Sequence, residues 1–129
     1  MTTEHLQDLD DVRALIQLYI DGSNGDTDKL RQAFHADAHM FGHVGPMDTY
    51  EPITDFFSFV EANPGAAGPG YRADIRTIDL AGDAGVAVLV ETDYLGCDFV
   101  DYFTVARIAG RWWITNKTYA HTGGAPPAG

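Results

Sequence analysis

The chain has 129 residues, 45% hydrophobic and 12% aromatic, which fits one globular domain with a core of its own. Its formal charge of -11, with 8 Lys+Arg scattered among 19 Asp+Glu, leaves no basic run to neutralise phosphates and argues against nucleic acid. No window approaches the ~20 apolar residues of a membrane span, and Cys97 is the lone cysteine, so an intrachain disulfide and a cysteine zinc site are excluded.

The opening residues, Met-Thr-Thr-Glu-His, have no basic segment or apolar stretch of a signal peptide, and the cytoplasm is the expected compartment. Leu6, Leu9, Val12, Ile16, Tyr19 and Ile20 recur at three- and four-residue steps and predict an amphipathic helix ending at Gly22 and Gly25. Asp8, Asp10 and Asp11 read as a solvated, dipole-compatible start to that helix. Asp26-Thr27-Asp28 supplies cap chemistry for a short second helix carrying Leu30, Ala33 and Phe34.

Three of the five histidines follow at four-residue intervals, His35, His39 and His43. On a helix that spacing would set the rings about 6 Å apart, but on a strand it spans roughly 13 Å. Gly42, Gly45 and Pro46 disfavour a helix, so the segment is predicted as a strand from about Ala36 to Phe41, then a turn. Zinc needs three or four donors converging at about 2 Å. Asp37, His39 and His43 are strung along a line, and no metal and no cofactor is expected, even with His121 of the last strand as a conceivable helper.

Thr49 and Pro52 resemble a further helix start. Ile53, Phe56, Phe57 and Val60 then predict a third amphipathic helix, stopped by Asn63-Pro64-Gly65 and a loop to Gly70. From Tyr71 the pattern changes to four long strands, 71–80, 86–94, 98–108 and 111–120, separated by turns at Gly82-Asp83, Leu95-Gly96 and Ala109-Gly110. Turns this short require antiparallel neighbours. Residues 123–129, rich in Gly, Ala and Pro, have no periodicity and read as a flexible tail after a single α+β domain over residues 1–122.

The order of these elements, with Asn24-Gly25-Asp26, Phe34-His35-Ala36-Asp37-Ala38, Gly110-Arg111-Trp112 and Trp113-Ile114-Thr115-Asn116-Lys117, resembles the nuclear transport factor 2-like (NTF2-like, cystatin-like) superfamily in its SnoaL-like and lumazine-binding branch. The resemblance runs from about Leu6 to His121. It implies three N-terminal helices packed on a strongly curved antiparallel sheet, a cone enclosing an apolar pocket, and a homodimer through the outer sheet face. The ketosteroid isomerase members of that superfamily use a tyrosine, a late-strand acid and a base aspartate. Tyr19 and Asp101 match the first two, while the base position falls at Gly42.

Neutral imidazole is a natural base near pH 6.5, so His39 and His43 are the candidates to replace the missing carboxylate, with Tyr19 and Asp101 polarising a carbonyl oxygen. Period two places His39, Phe41 and His43 on one strand face. Asp101 shares a face with Phe99, Phe103 and Val105 and could pair with Lys117 or Arg107. Lys117 alternates with Trp113, Thr115, Tyr119 and His121 and could anchor an anionic or carbonyl ligand, or snorkel to solvent. Schiff-base chemistry at Lys117 would require a desolvated amine. Trp113, Phe41, Phe57, Phe103, Tyr119 and His121 are the expected substrate contacts. Two functions fit: a cofactor-free isomerase, dehydratase or cyclase moving a proton beside a carbonyl, or a non-catalytic domain that binds a flat heterocyclic or apolar ligand.

Overall fold

Thr2 opens the first helix by accepting a hydrogen bond from the His5 amide at 3.1 Å, as an N-cap threonine does. The computed structural model, which describes residues 2–127, runs α1 (Thr3–Gly22), α2 (Thr27–Ala33), β1 (Phe34–Val44), β2 (Met47–Pro52), α3 (Ile53–Ala62), β3 (Ala67–Ala81), β4 (Ala84–Tyr94), β5 (Cys97–Ile108) and β6 (Arg111–Gly124). Asp26 caps α2 through the Lys29 amide. Among the described residues no helix is long and apolar enough to cross a membrane.

The strands form one sheet in the order β2-β1-β6-β5-β4-β3. Every neighbouring pair is antiparallel except β1 and β6, which run parallel. The sheet is therefore mixed, where short turns alone predict antiparallel pairing. The chain between β1 and β6 is long enough for the crossover that parallel strands require. Register shifts in the β1–β6, β3–β4 and β5–β6 ladders bend the strands, as bulges do, and curve the sheet around the helices.

One sheet face and the three helices close the core. Val12, Ile16, Leu30, Ile53 and Val60 from the helices meet Ala87, Leu89, Phe103, Val105 and Ile114 from the sheet, all buried. Tyr19 sits at its centre, with the Phe103 ring 4.9 Å and the Phe34 ring 5.8 Å away.

Four expectations from sequence need correction here. The first strand does not stop at Phe41 but continues to Val44 and turns back at Gly45-Pro46 into β2. Thr49 lies in β2 rather than before a helix, and α3 begins after Pro52 without a side-chain cap. The stretch before Gly70 is already strand, pairing Ala67 with Tyr94. Gly123 and Gly124, read as tail, pair with Asp98 and Cys97 in the β6–β5 ladder. Residues 125–127 carry no regular structure, and Ala128 and Gly129 lie outside the described residues.

Candidate functional site

Curvature leaves a cavity of about 390 Å³ between the inner sheet face, α1 and α3. Six aromatic residues line it, Tyr19, Phe56, Phe59, Tyr94, Phe99 and Tyr119. The β1–β2 hairpin edges its mouth with Val44, Met47, Asp48, Thr49 and Glu51, and Leu95 and Pro126 reach it from elsewhere. A more open depression of about 430 Å³ lies between α1 and the β5–β6 turn, lined by Asp11, Leu18 and Arg111 among others. No buried carboxyl or amine of the described residues lines it, which leaves the other cavity as the candidate site.

Two carboxyls occupy the floor of that cavity. On β4 the inward positions are Ala87, Leu89 and Glu91, and on β5 they are Phe99, Asp101, Phe103 and Val105. Glu91 is 3% exposed and Asp101 is 1% exposed. Tyr71 of β3 donates its hydroxyl to Glu91 Oε2 at 2.6 Å. Asp101 Oδ2 is buried without a hydrogen-bond partner, the one such side-chain atom among the described residues.

Burial, first, and then the charge and hydrogen bonding of Asp101 push the Glu91 carboxyl well above its ordinary range, against the opposing pull of Lys117 and Tyr71. A buried carboxylate beside another carboxyl is costly to ionise, so the retained proton is placed on Glu91. The same environment, desolvation ahead of Asp101 and Glu91, raises the Tyr19 hydroxyl well above its ordinary value. Tyr19 stays a neutral donor at any physiological pH.

Lys117 faces the same space from β6 at 6% exposure. Its Nζ stands 4.1 Å from the centre of the Phe56 ring, 5.1 Å from Tyr19 and 5.3 Å from Tyr119. Among the described residues its Nζ makes no salt bridge. Cation–π contacts hold it where a carboxylate would be expected.

Of the residues singled out from sequence, Tyr19, Asp101, Lys117 and Tyr119 line the cavity together. The candidate bases do not. The inward residues of β1 are Phe34, Ala38, Met40, Gly42 and Val44, so His39, Phe41 and His43 share a face as expected, but the outer one. His39 Nδ1 is bonded to the Asp37 carbonyl at 3.0 Å, and His43 Nδ1 to Asp48 Oδ1 at 3.0 Å. Their rings face away from the cavity and cannot reach a substrate in it.

The expected contacts divide similarly. Phe57 and Phe103 are buried core residues beside Phe34. Trp113 lies on the outer face, with the Arg111 guanidinium stacked 3.6 Å from its ring centre. His121 packs beside Phe99 with Nε2 at 2.8 Å from the Gly124 carbonyl, outside the cavity lining. Arg107, a candidate partner of Asp101, pairs instead with Asp8 and Asp83, which gives Asp8 a structural role rather than a solvated one. Among the described residues no three His, Cys, Asp or Glu side chains converge as metal ligands.

Glu91 is the buried carboxyl of the cavity that sequence reasoning missed. The available signal was its phase: it lies two and four residues after Leu89 and Ala87 on a predicted strand. The base position, Gly42, also has a physical explanation. A Cβ there would come within 2.7 Å of the Tyr119 ring and carbonyl oxygen, so Tyr119 fills the space a base side chain would take.

The family described as "Putative lumazine-binding" matches residues 7–120. An NTF2-like protein of unknown function from Shewanella baltica is 27% identical, covering 95% of this chain and 98% of that one with a TM-score of 0.83. A ketosteroid isomerase-like protein from Erwinia carotovora atroseptica, 15% identical, shares the fold over 90% of this chain and 97% of that one, TM-score 0.68. The aldolase FrzH of Cladobotryum sp is 23% identical over 112 residues, 85% of this chain and 88% of that protein.

Proposed function

The chain belongs to the Putative lumazine-binding family of NTF2-like fold, and from that premise we propose that its cavity binds a small carbonyl compound and moves a proton beside the carbonyl without a cofactor. The observation that carries this reading is the buried carboxyl pair, Glu91 pushed well above its ordinary range and Asp101 with an unpartnered oxygen, in a cavity lined by aromatic rings. Asp101 takes the proton from the carbon next to the carbonyl. Glu91 gives its proton to the developing enolate oxygen, and the neutral Tyr19 hydroxyl polarises it further. A preorganised donor in a dry site is worth about 3 kcal/mol, or 10²–10³ in rate.

An enol or enolate made this way serves isomerisation, dehydration and cyclisation alike. It also serves aldol chemistry, the reaction class in the name of the FrzH relative. Solvent deuterium exchange into a panel of small ketones and aldehydes, followed by NMR, tests the proposal. Exchange is expected with wild type and is expected to fall by about 10²-fold or more in Asp101→Asn and in Glu91→Gln. His39→Ala and His43→Ala are expected to leave it unchanged. Loss of exchange in the histidine variants, or no exchange with any carbonyl, would sink this mechanism.

The aromatic walls favour a second reading, capture of a flat heterocyclic or apolar ligand without turnover. Saturable thermal stabilisation by a heterocycle recovered unchanged, with no carbonyl exchange, would select it. In either case we infer a homodimer formed through the outer sheet face.

A further inference from the structure

Lys117 has surroundings unlike those of the other lysine. The chain holds two, Lys29 and Lys117. Lys29 is exposed and reaches Asp21 and Asp26. Lys117 is buried, points into the cavity, touches three aromatic rings and has no ion pair among the described residues. Its N–H groups are therefore available to whatever enters. The desolvation that sequence could not supply is present, and the Glu91 and Asp101 carboxyls line the same cavity.

We propose that Lys117 is a nucleophile that condenses with the carbonyl carbon of a neutral aldehyde or ketone held in the cavity, forming a protonated imine. The inference rests on the carbonyl reading of the site and adds a covalent step to it. The ammonium first passes a proton to Asp101. The Nζ lone pair then forms the N–C bond while the C=O π pair moves to oxygen, which takes the proton of Glu91. The new nitrogen returns a proton to Glu91, giving a neutral carbinolamine. Protonation of its hydroxyl by Asp101 releases water as the nitrogen lone pair forms C=N⁺. One ammonium and one carbonyl become one iminium and one water, and both carboxyls end as they began. The iminium is a stronger electron sink than the carbonyl, so Asp101 can then remove the adjacent proton, or a carbon–carbon bond can form or break there. Phe56, Tyr19 and Tyr119 replace the water that would hydrolyse it, and their π faces accommodate the retained positive charge.

Reductive trapping tests the step on the full chain. The protein is incubated at neutral pH with benzaldehyde and cyanoborohydride, digested, and the benzyl label at Lys117 is compared with that at Lys29 by mass spectrometry. Lys117 is expected to be labelled at least tenfold faster than Lys29, and Asp101→Asn is expected to abolish that preference while Lys29 labels as before. A preference below tenfold in wild type overturns the inference. The outcomes also separate it from the reading it rests on. Deuterium exchange that depends on Glu91 and Asp101 with no label at Lys117 leaves proton transfer standing and removes the imine. Label at Lys117 without exchange keeps the imine and removes the proposed proton transfer.

Discussion

Glu91 ties the site to the stability of the chain. In the folded state burial and Asp101 raise its carboxyl above the ordinary value of 4.5, so the folded chain keeps a proton that the unfolded chain loses. By linkage, stability then falls as pH rises from about 4.5 towards the folded value, with a slope approaching 1.4 kcal/mol per pH unit. Glu91→Gln keeps the size and a donor but removes the ionisation. Urea unfolding at pH 5, 6 and 7 is expected to show wild type losing stability across that range relative to the variant; parallel behaviour would remove the buried proton. His39 and His43 are the contrasting case. The period-two pattern placed them correctly on one face with Phe41, but both faces of β1 carry apolar residues, Met40 and Val44 inside and Phe41 outside, and parity cannot say which is in. Glu91 was hidden by the same ambiguity, because Val86, Val88 and Val90 make the outer face of β4 look as buried as Ala87 and Leu89.

Helices, turns and the four long strands could be read from periodicity because each buries one stripe and, apart from α2, which runs from Ala33 straight into β1, ends at or near a Gly or Asn. β2 could not. Its burial pattern is largely exposed, and it pairs with β1 alone among the described strands, so Thr49 and Pro52 looked like helix punctuation. That hairpin nevertheless makes the cavity mouth. Tyr119, which donates its hydroxyl to Thr49 Oγ1 at 3.0 Å, links β6 to β2 across Gly42 of β1. Gly42→Ala would drive a Cβ to 2.7 Å from the Tyr119 carbonyl oxygen, a backbone atom that cannot swing aside. The expected cost is about 1–3 kcal/mol in urea unfolding, with Tyr119 displaced from the wall. A Gly42→Ala variant as stable as wild type would show that β1 and β6 are not so closely apposed.

At the scale of the molecule, the sheet has a second face that the helices do not cover. Val88 pairs with Tyr102, Tyr102 with Thr118, Thr118 with Phe41 and Phe41 with Tyr50, a row across five strands without a charge. Tyr102, Phe41 and Tyr50 are 47%, 42% and 71% exposed. In a chain of net charge -11, such an uncharged strip favours a like surface, since contiguous exposed apolar patches mark interaction sites. Wild type is expected to sediment as a dimer at micromolar concentration and Tyr102→Glu as a monomer. A monomeric wild type would remove the homodimer.

The proton on Glu91 is what the proposed chemistry depends on, and infrared spectroscopy observes it directly. At pH 7 wild type should show the C=O stretch of an un-ionised carboxylic acid, shifted on deuteration. The band should be absent in Glu91→Gln and unchanged in His39→Ala. A wild-type spectrum with carboxylate bands alone at pH 7 would contradict the assignment of that proton and, with it, the acid–base mechanism.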